Sequence, residues 1–204
     1  MSSPAAIGFR AHSGWAAAVA ITGPPDAPLA ITRRRIEMSD RGAAGPSQPY
    51  HAAVGLDIRD AEQVIGNCAA RAAALAASAL RGMVEDLRQL GHGVAGCGLL
   101  LASGRPLPEL ESILASHALI HTAEGELFRD ALRAASRECG LPLTAVKERE
   151  LFPRAAADLR LPAAQIERHV AAMGKAIGPP WRQDEKFAAA AAWLALRVAL
   201  WRTL

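Results

Sequence analysis

His117, His121 and Glu124 stand at i, i+4 and i+7, a spacing that puts three metal-ligating side chains on one face of a continuous helix and would suit a transition metal. The acid that a His-Glu-x-x-His motif carries between its histidines is missing. Thr122 also offers a competing reading, as the cap of a new helix with Glu124 or Glu126 in its first turn. Hydrogen-bonded or solvent-facing histidines explain the pattern without a metal, so the sequence assigns no metal and leaves the three as candidates.

Arg10, His12 and the pair Tyr50-His51 would form a polar cluster if the chain around residue 50 folds over the end of the first strand. Arg33-Arg34-Arg35, with Arg10 and Arg41, is the densest basic group. In a strand Ile31, Arg33 and Arg35 share one face and Thr32, Arg34 and Ile36 the other, which suits an exposed, protected edge. As a binding surface it would take a nucleic-acid backbone, whose phosphates attract arginine irrespective of sequence. Lys147-Glu148-Arg149-Glu150 reads as a solvated turn with internal salt bridges, placed where ligands approach strand ends. No Walker loop, dinucleotide fingerprint, helix-turn-helix or zinc-finger spacing is present.

These residues need elements to position them. Residues 6–10, 16–22 and 29–37 read as three strands joined by the turns His12-Ser13-Gly14 and Gly23-Pro24-Pro25-Asp26. Residues 38–56 have no helical or strand period and read as a long loop. Residues 57–90 make one long central helix or two collinear ones, with Gly66 and Gly82 as weak points. A continuous apolar strand follows over 94–101, then helices over 107–114 and 121–139, a strand at 143–146, and helices over 150–159 and 162–173. The Gly178-Pro179-Pro180-Trp181 break precedes a final helix over 183–201. The order predicts an α/β fold in one domain spanning 1–204, with an antiparallel part and a parallel extension.

Composition agrees. Of 204 residues, 51% are apolar and only 4% aromatic, so alanine and leucine fill the core and helix dominates. With 21% charged residues and no apolar run of the roughly 18 residues or more that a membrane span needs, the chain is expected to fold in solution, without a membrane span, in the cytoplasm. A net charge of +3 says little about partners, which localised patches must decide. Cys68, Cys97 and Cys139 are far apart and odd in number, and are expected as buried thiols. Trp193 and Trp201 lie eight residues apart on nearly one face, suited to core packing or to a homodimer seam through the C-terminal helix.

Three stretches resemble the ribonuclease H-like superfamily, nearest to RuvC-like Holliday junction resolvases. They are Ile7-Gly8-Phe9-Arg10-Ala11-His12-Ser13-Gly14, the run 123–142 with Thr144-Ala145-Val146, and Gln183-Asp184-Glu185-Lys186-Phe187-Ala188-Ala189. The resemblance implies a mixed sheet whose first three strands are antiparallel, and phosphodiester hydrolysis by two divalent ions held by carboxylates. It also implies an aspartate where Arg10 stands and a late acid where Phe187 stands. Residues 94–103 supply no acid at all, and Asp184 matches an acidic position with Glu185 one residue off its face. A degenerate, cofactor-free member acting in binding or scaffolding is therefore expected. The alternative is a divergent Mg2+-dependent nuclease using Asp184, Glu185 and Glu148 or Glu150, and an Arg10–carboxylate pair at the vacated position would separate the two.

Overall fold

Short apolar stretches between turn residues build the first half of the sheet. β1 (Ser3–His12) turns into β2 (Trp15–Thr22), which returns through residues 23–28 into β3 (Leu29–Glu37). Gly14 sits at φ +80°, and a Cβ there would meet Ser39 Oγ at 2.5 Å, so the first turn requires glycine. The computed structural model describes residues 2–40, 47–102 and 106–201; Arg41 and Ser103 lie outside them.

After β3 come α1 (Pro49–Ala53), α2 (Ile58–Gln89), β4 (His92–Leu101), α3 (Leu110–Leu114), α4 (His117–Glu138) and β5 (Leu143–Lys147). A 3-10 turn (Glu148–Glu150) leads into α5 (Leu151–Leu159), α6 (Ala163–Ile177) and α7 (Gln183–Trp201). The strand order is β3-β2-β1-β4-β5. β1 pairs antiparallel with β2 and β2 with β3, whereas β1–β4 and β4–β5 are parallel. This is the mixed sheet of the ribonuclease H-like α/β fold.

Strand alternation sends successive side chains to opposite layers. Ile7, Phe9, Cys97 and Leu99 pack with α2 and α4, while Ala6, Leu100 and Val146 pack with α5, α6 and α7. Helix α7 is buried without interruption from Ala188 to Leu196, so it has no polar face in its middle. It lies very close to the sheet. Gly8 and Gly98 are register partners on adjacent strands, and a Cβ on either would fall 1.9 Å from Ala188 O or 2.1 Å from Ala191 O. The two glycines thus form a saddle on which the alanine-lined helix rests, and that contact fixes where the start of α7 hangs over the end of β1.

Several elements depart from expectation. Residues 38–56 are not loop throughout: Pro49 opens the short helix α1. Helix α2 runs unbroken through Gly66 and Gly82, because nothing crowds either position and Asp57 caps its start by accepting from the Arg59 and Asp60 amides. Helix α4 begins at His117, and Thr122 caps nothing; its hydroxyl donates to Ala118 O at 2.9 Å within the helix. A register shift between Ala20 and Ile21 of β2 lets Ile31 join the α2 side with Ile36, away from Arg33 and Arg35. Trp193 is buried and donates to Pro25 O, whereas Trp201 is 63% exposed, so the two do not share one environment. Among the cysteines Cys97 alone is buried, and burial pushes its thiol up to about 12; Cys68 and Cys139 are half-buried. No helix among the described residues is long and apolar enough to cross a membrane.

Candidate functional site

Three chain segments converge at the end of β1. Arg10 and His12 project from β1 on the α7 side, Glu148 follows β5 directly, and Asp184 stands in the first turn of α7. The Arg10 guanidinium grips Glu148 with two bonds, Nε to Oε2 at 3.1 Å and Nη2 to Oε1 at 2.7 Å. Its remaining arm, Nη1, donates to Asp184 Oδ1 at 2.5 Å, the same oxygen that receives His12 Nε2 at 2.8 Å. Below the plane lies Phe187, 5.0 Å from the guanidinium carbon to the ring centroid. Planar, forked arginine suits such a site better than lysine would, because it can satisfy two carboxylates and stack at once.

The electrostatics follow from the geometry. Burial disfavours the charge on Asp184, but the hydrogen bonds and charges of His12 and Arg10 outweigh it and hold the carboxyl below its usual range. For Arg10 burial likewise opposes the charge, and Glu148 with Asp184 reverses the balance and raises it. The guanidinium side chain is 16% exposed, against 38% for Glu148 and 27% for Asp184. One cation therefore sits between two carboxylates, at the position where the resemblance drawn from sequence implied metal ions. The residues present do not fit a two-metal centre: the carboxylates are already bridged by protein, and β4 brings no acid to its end.

The network continues outward. His12 stacks on Trp15 at 4.3 Å, and the Arg35 guanidinium covers the Trp15 ring at 3.7 Å. Beside them a groove of about 330 Å³ is lined by Trp15, Arg33, Arg34, Arg35, Arg182, Asp184 and Glu185, among others. Arg33 donates to Pro179 O at 2.5 Å while its Nε is buried without a partner among the described residues. Arg34 is bound to Asp86 of α2, and Arg35 to Glu37 at 2.7 Å. The three arginines are thus individually engaged as well as collectively basic.

The candidates named from sequence divide accordingly. Arg10, Asp184, Glu148 and Phe187 come together. Glu185 does not; it accepts from the Arg182 amide at 2.7 Å and serves the start of α7. Glu150 pairs with Lys147 and Arg149, so the expected solvated turn holds for these three while Glu148 turns inward. Tyr50 and His51 do not join Arg10 and His12: they lie on the α2 and α4 side of the sheet. There His51 meets His117 and His121, with ligating nitrogens all within 4.8 Å of one another, a triad that could coordinate a metal. Glu124 does not complete a face with those two histidines. It is fully buried and its Oε1 accepts from His51 Nδ1 at 2.8 Å and from the His51 amide at 3.2 Å. His51 escaped the helical spacing argument because it belongs to another element; Pro49, two residues before it, was the available sign of a helix there.

No protein-family model and no curated protein matches the chain. Among solved structures it is similar to RuvC of T. thermophilus in complex with a Holliday junction substrate, with a TM-score of 0.53 and 11% identity over 96% of this chain and 95% of that one. The Thermus thermophilus RuvC structure is similar with a TM-score of 0.51 and 14% identity, over 98% of this chain and 97% of that one. At such identities the likeness is one of fold.

Proposed function

We propose that this chain is a non-cleaving member of the RuvC-like fold that binds a nucleic-acid backbone. The observation that carries the reading is the Arg10 guanidinium bridging Glu148 and Asp184, a protein cation in place of metal ions. The basic groove beside it supports a polyanionic ligand, since four arginines face two acids there. In the fold's relatives whose structures are similar, RuvC is seen with a Holliday junction substrate.

The test is binding of fluorescent branched and duplex DNA, and of RNA, across a salt series. Affinity is expected to fall linearly on a log–log salt plot, with the slope reduced by about two when Arg33 and Arg35 are both changed to Ala. Absence of binding at low salt overturns the reading. Arg10→Asp is expected to leave the protein without cleavage activity in Mg2+, because β4 still offers no acid.

A divergent nuclease is the second reading, favoured by the convergence of Glu148 and Asp184 on one point. Magnesium-dependent cleavage of a branched substrate, lost in Asp184→Ala, would establish it and displace the first.

A further inference from the structure

The histidine cluster lies outside the Arg10 centre and serves none of its chemistry. Helix α1 delivers His51, and the first two turns of α4 deliver His117 and His121 at i and i+4. Ring centroids are 4.4 Å apart for His117 and His121, 4.8 Å for His51 and His121, and 5.4 Å for His51 and His117. Behind them stands Glu124, completely buried, with Oε2 lacking a hydrogen-bond partner among the described residues. A buried carboxylate whose hydrogen bonds among the described residues come from His51 alone is a costly arrangement unless positive charge lies close by.

We propose that His51, His117 and His121 form a three-histidine site for a borderline divalent cation of the zinc class, with Glu124 orienting His51 and a fourth position open to water. This goes beyond the nucleic-acid reading and does not depend on it. The Glu124 contact is a carboxylate–histidine pair of the kind that backs metal ligands: Oε1 accepts from Nδ1, which fixes the proton there and leaves the Nε2 lone pair for the ion. Positive charge on a metal-bound His51 would in turn compensate the buried carboxylate. Three imidazoles with no thiolate and no oxygen ligand select zinc-like ions over magnesium or calcium.

The geometry needs modest closure. Zinc–nitrogen bonds of about 2.0–2.1 Å put tetrahedral ligand nitrogens roughly 3.3 Å apart, and the nitrogens here lie within 4.8 Å. His117 and His121 are exposed and can rotate inward, while His51 is held by Glu124. The dipole of α4 opposes a cation near its start, an effect small beside three coordinate bonds. Bound metal would tie α1 to α4 at the sheet end where β1 and β4 finish, since α4 runs back from that end to β5.

The experiment uses the full chain, stripped with chelator and titrated with Zn2+ against a chromophoric competitor, and with Co2+ followed by visible absorption. One ion per chain, a tetrahedral-type Co2+ spectrum and a metal-dependent rise in melting temperature are expected. His117→Ala and His121→Ala, both at exposed positions, should each weaken Zn2+ binding about 100-fold or more while retaining the helical circular dichroism of the wild type, and Glu124→Gln should weaken it about 10-fold or more. Binding that is absent, or that is unchanged in both histidine variants, overturns the proposal; so does an equal affinity for Mg2+.

Discussion

The two polar clusters at this end of the sheet lie on opposite faces and solve opposite problems. On the α7 side Arg10, Glu148, Asp184 and His12 are a closed set, in which a guanidinium neutralises two carboxylates and packs on Phe187. On the α4 side, three histidines face one another with their ligating nitrogens within 4.8 Å, and the acid behind them has one oxygen unanswered among the described residues. Satisfied networks rigidify, whereas an incompletely satisfied buried group marks a place where something else can enter. The difference teaches that the acids alone do not locate chemistry in this molecule: the site with carboxylates is occupied by its own arginine, and the site that can accept an ion is built of imidazole.

Replacing Gly98 by Ala should give the largest effect. Its Cβ would strike Ala191 O, and α7 must lift with Asp184, at a cost near the upper end of the roughly 1–3 kcal/mol seen for overpacking. Thermal melts measure this. Zinc binding by the folded fraction should survive, because His51, His117 and His121 are carried by α1 and α4; its loss would show the two clusters to be coupled.

Next in size is His121→Ala, whose roughly 100-fold weaker zinc binding corresponds to about 2.7 kcal/mol, with nucleic-acid binding unchanged. Arg10→Ala should follow at about 2 kcal/mol of stability, below the range for fully buried pairs because Glu148 and Asp184 retain some solvent. Chemical denaturation reports it, and Arg10→Met, which keeps the contact with Phe187, should recover only part. Equal stability of wild type and Arg10→Ala would mean that the network contributes nothing.

The smallest effect is a pH dependence. Asp184 has a folded pKa below its unfolded value of about 3.9, so its contribution is complete above that value and disappears as pH falls through the folded pKa. Wild type should therefore lose stability below about pH 4 relative to Asp184→Asn, by no more than about 1 kcal/mol for a partly exposed pair. A flat difference across that range would remove the pair from the account.

Much of the fold was readable because its local signals are clear: the short apolar stretches of β1 and β2 between turn residues, the apolar run of β4 and the limits of α7 all follow from local pattern. The sites were less readable for a physical reason. Arg10 opposite Asp184 could be expected from the first strand and last helix of a ribonuclease H-like order, but Glu148 looked like one of four charged turn residues, and only the path of β5 decides that it points inward. His51 was hidden further, in a five-residue helix too short to show a period. Glu124 was grouped with His117 and His121 by helical spacing, yet it bonds His51, since that spacing tells which residues share a face and not which of them is buried or what reaches it from another element.

The saddle made by Gly8 and Gly98 has a consequence for how form and chemistry relate. The height of Asp184 over β1 is set by two residues with no side chain and by the alanines above them. None of these carries a side chain that could bind an ion or donate a proton. Exchanging the charged groups at the rim should therefore leave the mould intact, because Arg10 is positioned by the strand and the helix start rather than by its own chemistry. In this chain the residues that set the height of the rim and the charged residues that occupy it are different, so that either can be edited without erasing the other.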